Sequence, residues 1–444
     1  MNFRAAYIPI GVGTFHLESA EAEFRKSINL LKNIDENTYV PDEMLLTIDK
    51  LSAYLEGIEP DLLIVQNLTF ANAAYMSEVL RRFDRPVLLW TLREPVIDGT
   101  RLRLNSLTGA FSAGNIINEF GRKFEYVFGS PDEKQVQRKI KAVFACVKVM
   151  KQMRSLKLLQ VGHTPQGFGF GRALDADMLK TFGVTLSSIE ARELIENAKS
   201  YTADEIAPYL EDAKERICGL EKIEEKNVED FARLYKAYKE YTEQNGIEAL
   251  ASRCWPDFFT AFGTPVCSVL GILNDLGVEC ACEADAYGAL SMYIAAKLTK
   301  KSAFFGDPVS LDESENTITF WHCGMAPCSL AREDTGACAG VHCNRKIGPT
   351  LEFGCKEEPK VTIFRIGRKP DGTYRLFCAE GKALDKPRQF FGTSIVVETL
   401  NPCSGIINKA VKDGWEPHFV VAMGGISEEI KILGNLLGIE VCSF

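Results

Sequence analysis

Leu62-Leu63-Ile64-Val65 and Val87-Leu88-Leu89-Trp90 bracket residues 76–83, where apolar side chains recur at helical spacing. Such four-residue apolar runs suit strands covered on both faces. A helix between two of them is a βαβ unit, which makes the strands parallel. The same alternation extends outward. Residues 5–12 read as a strand, 19–31 as a helix and 124–128 as a strand. A second run starts near residue 156: a strand at 158–161, a Gly-rich loop, a helix at 173–182 and a strand at 184–189. Residues 202–245 form a long charged segment. Thr202 with Glu205 makes a capping box at its start, and Asn245-Gly246 makes a stop.

Beyond about residue 302 the texture changes. Residues 318–321, 361–366, 374–378 and 394–399 read as strands rich in β-branched and aromatic residues. Lys369-Pro370-Asp371-Gly372 is a turn between two of them, because Pro presets one φ and Gly permits another. The predicted fold is α/β: two Rossmann-like α/β domains over 1–155 and 156–302, then a β-rich, antiparallel, barrel-like domain over 303–444.

At 444 residues the chain has material for two to four domains of roughly 100–200 residues each. Lys and Arg total 51 against 60 Asp and Glu, a net charge of −9 with no basic block, which argues against nucleic acid or anionic membranes as partners. No run approaches the roughly 18 apolar residues of a membrane span. The first residues lack a charged segment followed by a long apolar run, so no signal peptide is read. The expected compartment is the cytoplasm, where the 14 cysteines stay reduced and mostly pack as small buried residues.

Three clusters invite chemistry. Residues 162–171 (GHTPQGFGFG) sit between a strand and a helix, but they lack both the dinucleotide fingerprint and a Walker lysine. Even with Glu190 after the next strand, no nucleotide cofactor is expected, and the loop reads as a tight turn or part of a sugar pocket. Cys323-x4-Cys328 and Cys338-x4-Cys343, with His322 and His342 nearby, fit zinc knuckles poorly. The third cluster is the informative one. Glu283 and Asp285 follow a short strand, Asp307 stands between Gly306 and Pro308, and His322 and His418 lie at strand boundaries. Carboxylates at strand ends are where α/β folds place chemistry, and two carboxylates with two imidazoles suit Mn²⁺, Mg²⁺ or Co²⁺.

The motif order Arg253-Cys254-Trp255-Pro256, Gly263-x-Pro265-Val266-Cys267, Leu273-x-Asp275-x-Gly277, Cys282-Glu283-Ala284-Asp285-x-x-Gly288-Ala289-Leu290, Asp307-Pro308, Trp321-His322-Cys323-Gly324-x-Ala326-Pro327 and His418-Phe419-Val420 resembles the L-fucose isomerase and L-arabinose isomerase family. The resemblance implies a Mn²⁺-dependent aldose–ketose isomerase working through an enediolate, possessing the same three-part fold. It places metal ligands at Glu283, Asp307 and His418, and in the arabinose branch also at His322. Glu283 and Asp307 would be the catalytic acid and base, and Arg253, Trp255 and His322 would contact substrate. A small sugar is the expected partner, with fucose, arabinose, another deoxy-sugar and a sulfonated aldose all open. A homo-oligomer, trimer or hexamer, is the expected assembly. Two rival classes are a sugar receptor on an α/β scaffold, which needs no metal ligands, and a nucleotide-dependent oxidoreductase.

Overall fold

The computed structural model describes residues 3–444. Strands β1 (Ala5–Ile10), β2 (Leu62–Asn67), β3 (Val87–Thr91) and β4 (Phe124–Phe128) form a parallel sheet in that order. The first three are buried along their whole length, as strands covered on both faces must be. The helix Ala73–Arg82 between β2 and β3 starts where the Asn72 side chain accepts a hydrogen bond from the Ala74 backbone N–H. Its Met76 and Val79 pack with Ile8, Val65 and Leu89 of the sheet.

A second parallel sheet is made from β5 (Lys157–Val161), β6 (Thr185–Ile189), β7 (Ala249–Ser252) and β8 (Glu279–Ala281), in the order β6-β5-β7-β8. The charged segment leading into β7 is two helices, Ala203–Arg216 and Glu225–Asn245, rather than one. Both predicted ends hold: the Thr202–Glu205 capping box is formed, and Gly246 closes the second helix with φ of 63°. The break between them combines a local cause, Gly219 at φ of 78°, with a tertiary one. Cys218 pairs by backbone with Ala337 and Ala339, and its sulfur is bonded to Cys338. This disulfide corrects the expectation that the thiols are reduced throughout, and it takes Cys338 out of any zinc knuckle.

The third sheet holds β9 (Phe304–Asp312), β10 (Thr317–His322), β11 (Cys338–Gly340), β12 (Thr350–Gly354), β13 (Glu358–Arg368), β14 (Tyr374–Leu384), β15 (Thr393–Thr399), β16 (Phe419–Ala422) and β17 (Glu440–Ser443). Its order is β11-β12-β15-β10-β9-β16-β13-β14-β17, and β14 also pairs with β15. Six strands, β15-β10-β9-β16-β13-β14, therefore close into a ring, which removes their open edges. The pairing is antiparallel except at β12–β15 and β14–β17. The β13–β14 hairpin turns at the predicted place, with Gly372 at φ of 86° and its N–H donating to Lys369 O at 2.9 Å.

Two compact units result. One runs to Gln152 and takes in Lys431–Ile439; the other comprises Met153–Ile430 and Glu440–Phe444. No helix among the described residues is long and apolar enough to cross a membrane.

Glu279 on β8 is a buried carboxyl whose Oε2 has no hydrogen-bond partner. Burial pushes it up to about 8, against the pull of Lys297. The folded protein thus holds a proton that the unfolded chain, with its carboxyl near 4.5, releases. This stability is present below pH 4.5 and is lost as pH rises towards 8. Glu279→Gln should flatten that dependence and raise Tm at pH 8 by about 2–4 °C or more, read by calorimetry across pH 5–8. Parallel pH profiles for the two proteins would refute the assignment.

Candidate active site

The chain leaves β8 through an unusual turn. Glu283 and Ala284 both take left-handed backbone conformations, with φ of 52° and 55°. Each such residue costs roughly 1–3 kcal/mol unless its surroundings hold it. Here the Ala284 N–H donates to Ser252 O of β7 at 3.0 Å, and the Asp285 N–H donates to Cys282 O at 3.1 Å. The Asp285 carboxylate then caps the helix Ala286–Thr299 by accepting from Gly288 N–H at 2.9 Å. The turn places the Glu283 and Asp285 side chains at the carboxyl end of the second sheet, facing the strand ring. Carboxyl ends of parallel strands are the usual site of chemistry in α/β folds.

The ring supplies the other groups. Asp307 lies on β9, His322 ends β10, Arg365 lies on β13, and His418 precedes β16. Glu283 Oε2 lies 3.3 Å from His322 Nε2 and 3.6 Å from His418 Nε2. His418 Nε2 also lies 3.6 Å from Asp307 Oδ1. Four of the residues singled out from sequence therefore meet, although they span positions 283 to 418.

A fully buried ion pair holds this arrangement. Arg365 Nη1 donates to Asp285 Oδ2 at 2.8 Å and to His418 O at 3.0 Å, while Nη2 donates to Asp285 Oδ1 at 3.3 Å. Asp285 Oδ2 also lies 3.0 Å from His418 Nδ1. Burial works against the charged Asp285 carboxyl, but Arg365 and His418 outweigh it and hold the group well below the usual carboxylate range. An ionised Asp285 can only accept, so His418 Nδ1 carries a proton and Nε2 is the nitrogen turned towards the centre. Nε2 thus faces two carboxylate oxygens, one from Glu283 and one from Asp307.

Glu283 and His322 have thiol partners. Cys254 Sγ donates to Glu283 Oε1 at 3.5 Å, leaving Oε2 for the imidazoles. Cys323 Sγ lies 3.3 Å from His322 Nδ1. Burial raises the Glu283 carboxyl, but the two imidazoles overcome it and lower the group to about 2. At Asp307 burial prevails over the same imidazoles and the carboxyl moves up. Asp307 is also the more open of the two, with its side chain 32% exposed against 11% for Glu283.

Aromatic rings wall the centre. Phe305, Phe170 and Phe168 lie 4.8, 5.2 and 6.2 Å from the His418 ring, and Trp255 meets Phe168 edge-on at 5.8 Å. Phe168 and Phe170 come from the Gly-rich loop, which brings both rings against His418. Gly171 allows this approach, since a Cβ there would lie 2.8 Å from Asp285 Cα. Trp255 thus joins the wall. Arg253 is committed instead to Asp257 at 2.9 Å and to the Trp255 carbonyl at 3.2 Å.

Sequence reading missed Arg365, the two thiols and the loop phenylalanines. Arg365 had a visible signal, a charge inside the apolar strand Val361-Thr362-Ile363-Phe364-Arg365-Ile366. The Phe168-Gly169-Phe170-Gly171 alternation, two large rings on a backbone that can come close, was another.

A buried carboxylate–imidazole centre at strand ends, walled by aromatic rings, defines an enzyme for a small polar substrate. No family model matches the chain. It is 58% identical over 440 residues to the sulfoquinovose isomerase of Clostridium sp. (strain MSTE9), covering 99% of this chain and 98% of that protein. It is 37% identical over 443 residues to that of Priestia aryabhattai and 35% over 438 residues to that of Alkalicoccus urumqiensis, each covering 98% of the relative. The chain belongs to the sulfoquinovose isomerase family and is an aldose–ketose isomerase. The receptor alternative finds no support among these relatives.

Arg365→Met would leave the Asp285 charge buried without its main partner. Its expected cost is about 3–5 kcal/mol, measured by denaturant unfolding. A loss under 1 kcal/mol would show that the pair does not hold the site.

Proposed function

We propose that this chain interconverts sulfoquinovose, a 6-deoxyglucose bearing a sulfonate on C6, and the corresponding ketose, with the aid of one divalent cation. The substrate reading rests on the sulfoquinovose isomerases above. The cation reading rests on one observation: His418 Nε2, on a ring held by Asp285 at Nδ1, converges with Glu283 Oε2 and Asp307 Oδ1. Glu283, His322 and His418 offer donor atoms that all lie within 4.8 Å of one another, and Asp307 completes a hard oxygen–imidazole set suited to Mn²⁺. This set and its order along the chain are what the resemblance to L-fucose and L-arabinose isomerases implies.

When bound, the cation would act as a Lewis acid on the sugar's carbonyl and neighbouring hydroxyl oxygens. The protein's own part is to move a proton between C2 and C1. Glu283, locked between imidazoles and the Cys254 thiol, would hold one side of the reacting carbons. Asp307, more open and with its carboxyl shifted upward, would face the other side as the exchanging group. Removing the C2 proton of the aldose gives an enediolate; passing the O2 proton to O1 and returning a proton to C1 gives the ketose. Phe168, Phe170 and Phe305 keep bulk water from this step.

The direct test is NMR of sulfoquinovose with the Mn²⁺-treated protein in D₂O, with an EDTA control. Ketose should form only with metal, and deuterium should enter at the carbon that receives the proton. Conversion without metal, or no conversion, would refute the proposal. Glu283→Gln should lower kcat by about 10³-fold or more with the fold intact; near-normal turnover would remove Glu283 from the reaction. Asp285→Asn keeps a cap for Gly288 but no longer fixes the His418 proton. It should weaken Mn²⁺ binding roughly 10–100-fold in calorimetric titration, whereas unchanged affinity would limit Asp285 to a structural role.

A further inference from the structure

The centre around Glu283 accounts for the reacting end of a sugar but offers nothing to a sulfonate at its far end. A permanently charged sulfonate needs a cation that is not already neutralised by the protein. Arg253 is paired with Asp257, Arg365 with Asp285 and Glu416, Arg368 with Asp177, and Arg388 with Glu352. Arg345 differs from these. Its guanidinium forms no ion pair among the described residues, and it lies over the rings of Phe259 at 4.9 Å and Trp255 at 5.5 Å.

A line of aromatic contact leads from Arg345 to the reacting centre: Trp255 touches Phe168, and Phe168 touches His418. A second polar group stands in its own turn. His342 is buried edge-on against Phe259 at 5.0 Å. Its Nδ1 accepts from the backbone N–H groups of Asn344 and Arg345 at 3.3 and 3.4 Å. Nε2 therefore carries the imidazole proton and makes no hydrogen bond to any described residue. Burial, with Arg345 and His322 beside it, lowers His342 to about 4, so the ring stays neutral and donates. The 342–345 turn thus presents one unpaired cation and one neutral donor.

We propose that Arg345, with the His342 Nε2–H beside it, forms the subsite for the sulfonate of the substrate. The claim rests on the sugar-sulfonate reading above and adds to it which residues read the charge. A guanidinium held flat on two rings is already oriented, so less side-chain freedom is lost when a planar pair of its N–H groups meets two sulfonate oxygens. The backbone of the turn is itself fixed, because β11 just before it is bonded to Cys218 through Cys338. Arg172 is the other exposed guanidinium near the wall. It donates to Thr164 Oγ1 at 3.3 Å, forms no ion pair among the described residues, and serves as the internal comparison.

The probe is 6-deoxy-6-sulfo-D-glucitol, which cannot isomerise, with neutral 6-deoxy-D-glucitol as its partner. Their binding to the Mn²⁺-treated protein is measured by calorimetry for wild type, Arg345→Ala, Arg345→Lys and Arg172→Ala. Arg345→Ala should weaken the sulfonated polyol about 10–100-fold and leave the neutral one within threefold, the scale of a lost charged hydrogen bond. Arg345→Lys should recover part of the loss, and Arg172→Ala should bind both polyols as wild type does. Equal loss for both polyols, no loss, or a sulfonate-specific loss in Arg172→Ala instead would overturn the assignment. Wild-type protein that binds the sulfonated polyol through Arg345 but does not convert sulfoquinovose would refute the substrate reading and leave the subsite standing. Wild-type protein that binds the sulfonated polyol no better than the neutral one would refute the subsite.

Discussion

The buried Asp285–Arg365 pair is the interaction on which the catalytic half of the molecule depends. Asp285 caps a helix, accepts two guanidinium N–H groups and fixes the proton of His418. Arg365 reaches from β13 to both Asp285 and the His418 carbonyl, so a single side chain ties the end of the parallel sheet to two strands of the ring. Such a pair is a poor source of net stability, because taking both charges out of water costs several kcal/mol per ion. Its value here is positional. It dictates which imidazole nitrogen faces the centre, and that nitrogen is where Glu283 and Asp307 converge.

The left-handed pair Glu283-Ala284 follows the same logic. Neither residue is glycine, so the turn is costly and persists because Ser252, Cys282 and the cap at Asp285 hold it. The turn sends Glu283 and Asp285 in different directions, one into the reacting centre and one to the ion pair behind it. An ordinary strand-to-helix connection would not separate their tasks. The thiols of Cys254 and Cys323 complete the support, each turning one side chain so that its reactive atom faces inward. These buried cysteines are weak hydrogen-bond partners in a crowded site.

Much of this was legible in the sequence for physical reasons. Parallel strands buried on both faces must be apolar throughout, so β2 and β3 announce themselves, as does the Gly372 turn. Glu283, Asp307, His322 and His418 stand out because polar groups at strand ends interrupt apolar runs. The functions of Asp285 and Arg365 did not stand out. An Asp before a helix reads equally well as a cap, which it also is, and its partner lies 80 residues away. The break at Cys218 was legible only in part: Gly219, at φ of 78°, is a local signal, but the pairing with a strand 120 residues on is not. Arg345 gives no signal in sequence either. Its significance lies in an absence of counter-charge that depends on where every carboxylate ends up.

The account stands on one claim, that the four acceptor and donor groups fixed by Asp285 and Arg365 are a cation site. Electron paramagnetic resonance titration of Mn²⁺ into EDTA-stripped protein addresses it without reference to any substrate. One tightly bound Mn²⁺ per chain, lost in both Glu283→Ala and His418→Ala while the fold is retained, is the predicted result. Protein that binds no Mn²⁺, or binds it equally well without Glu283 and His418, would contradict it.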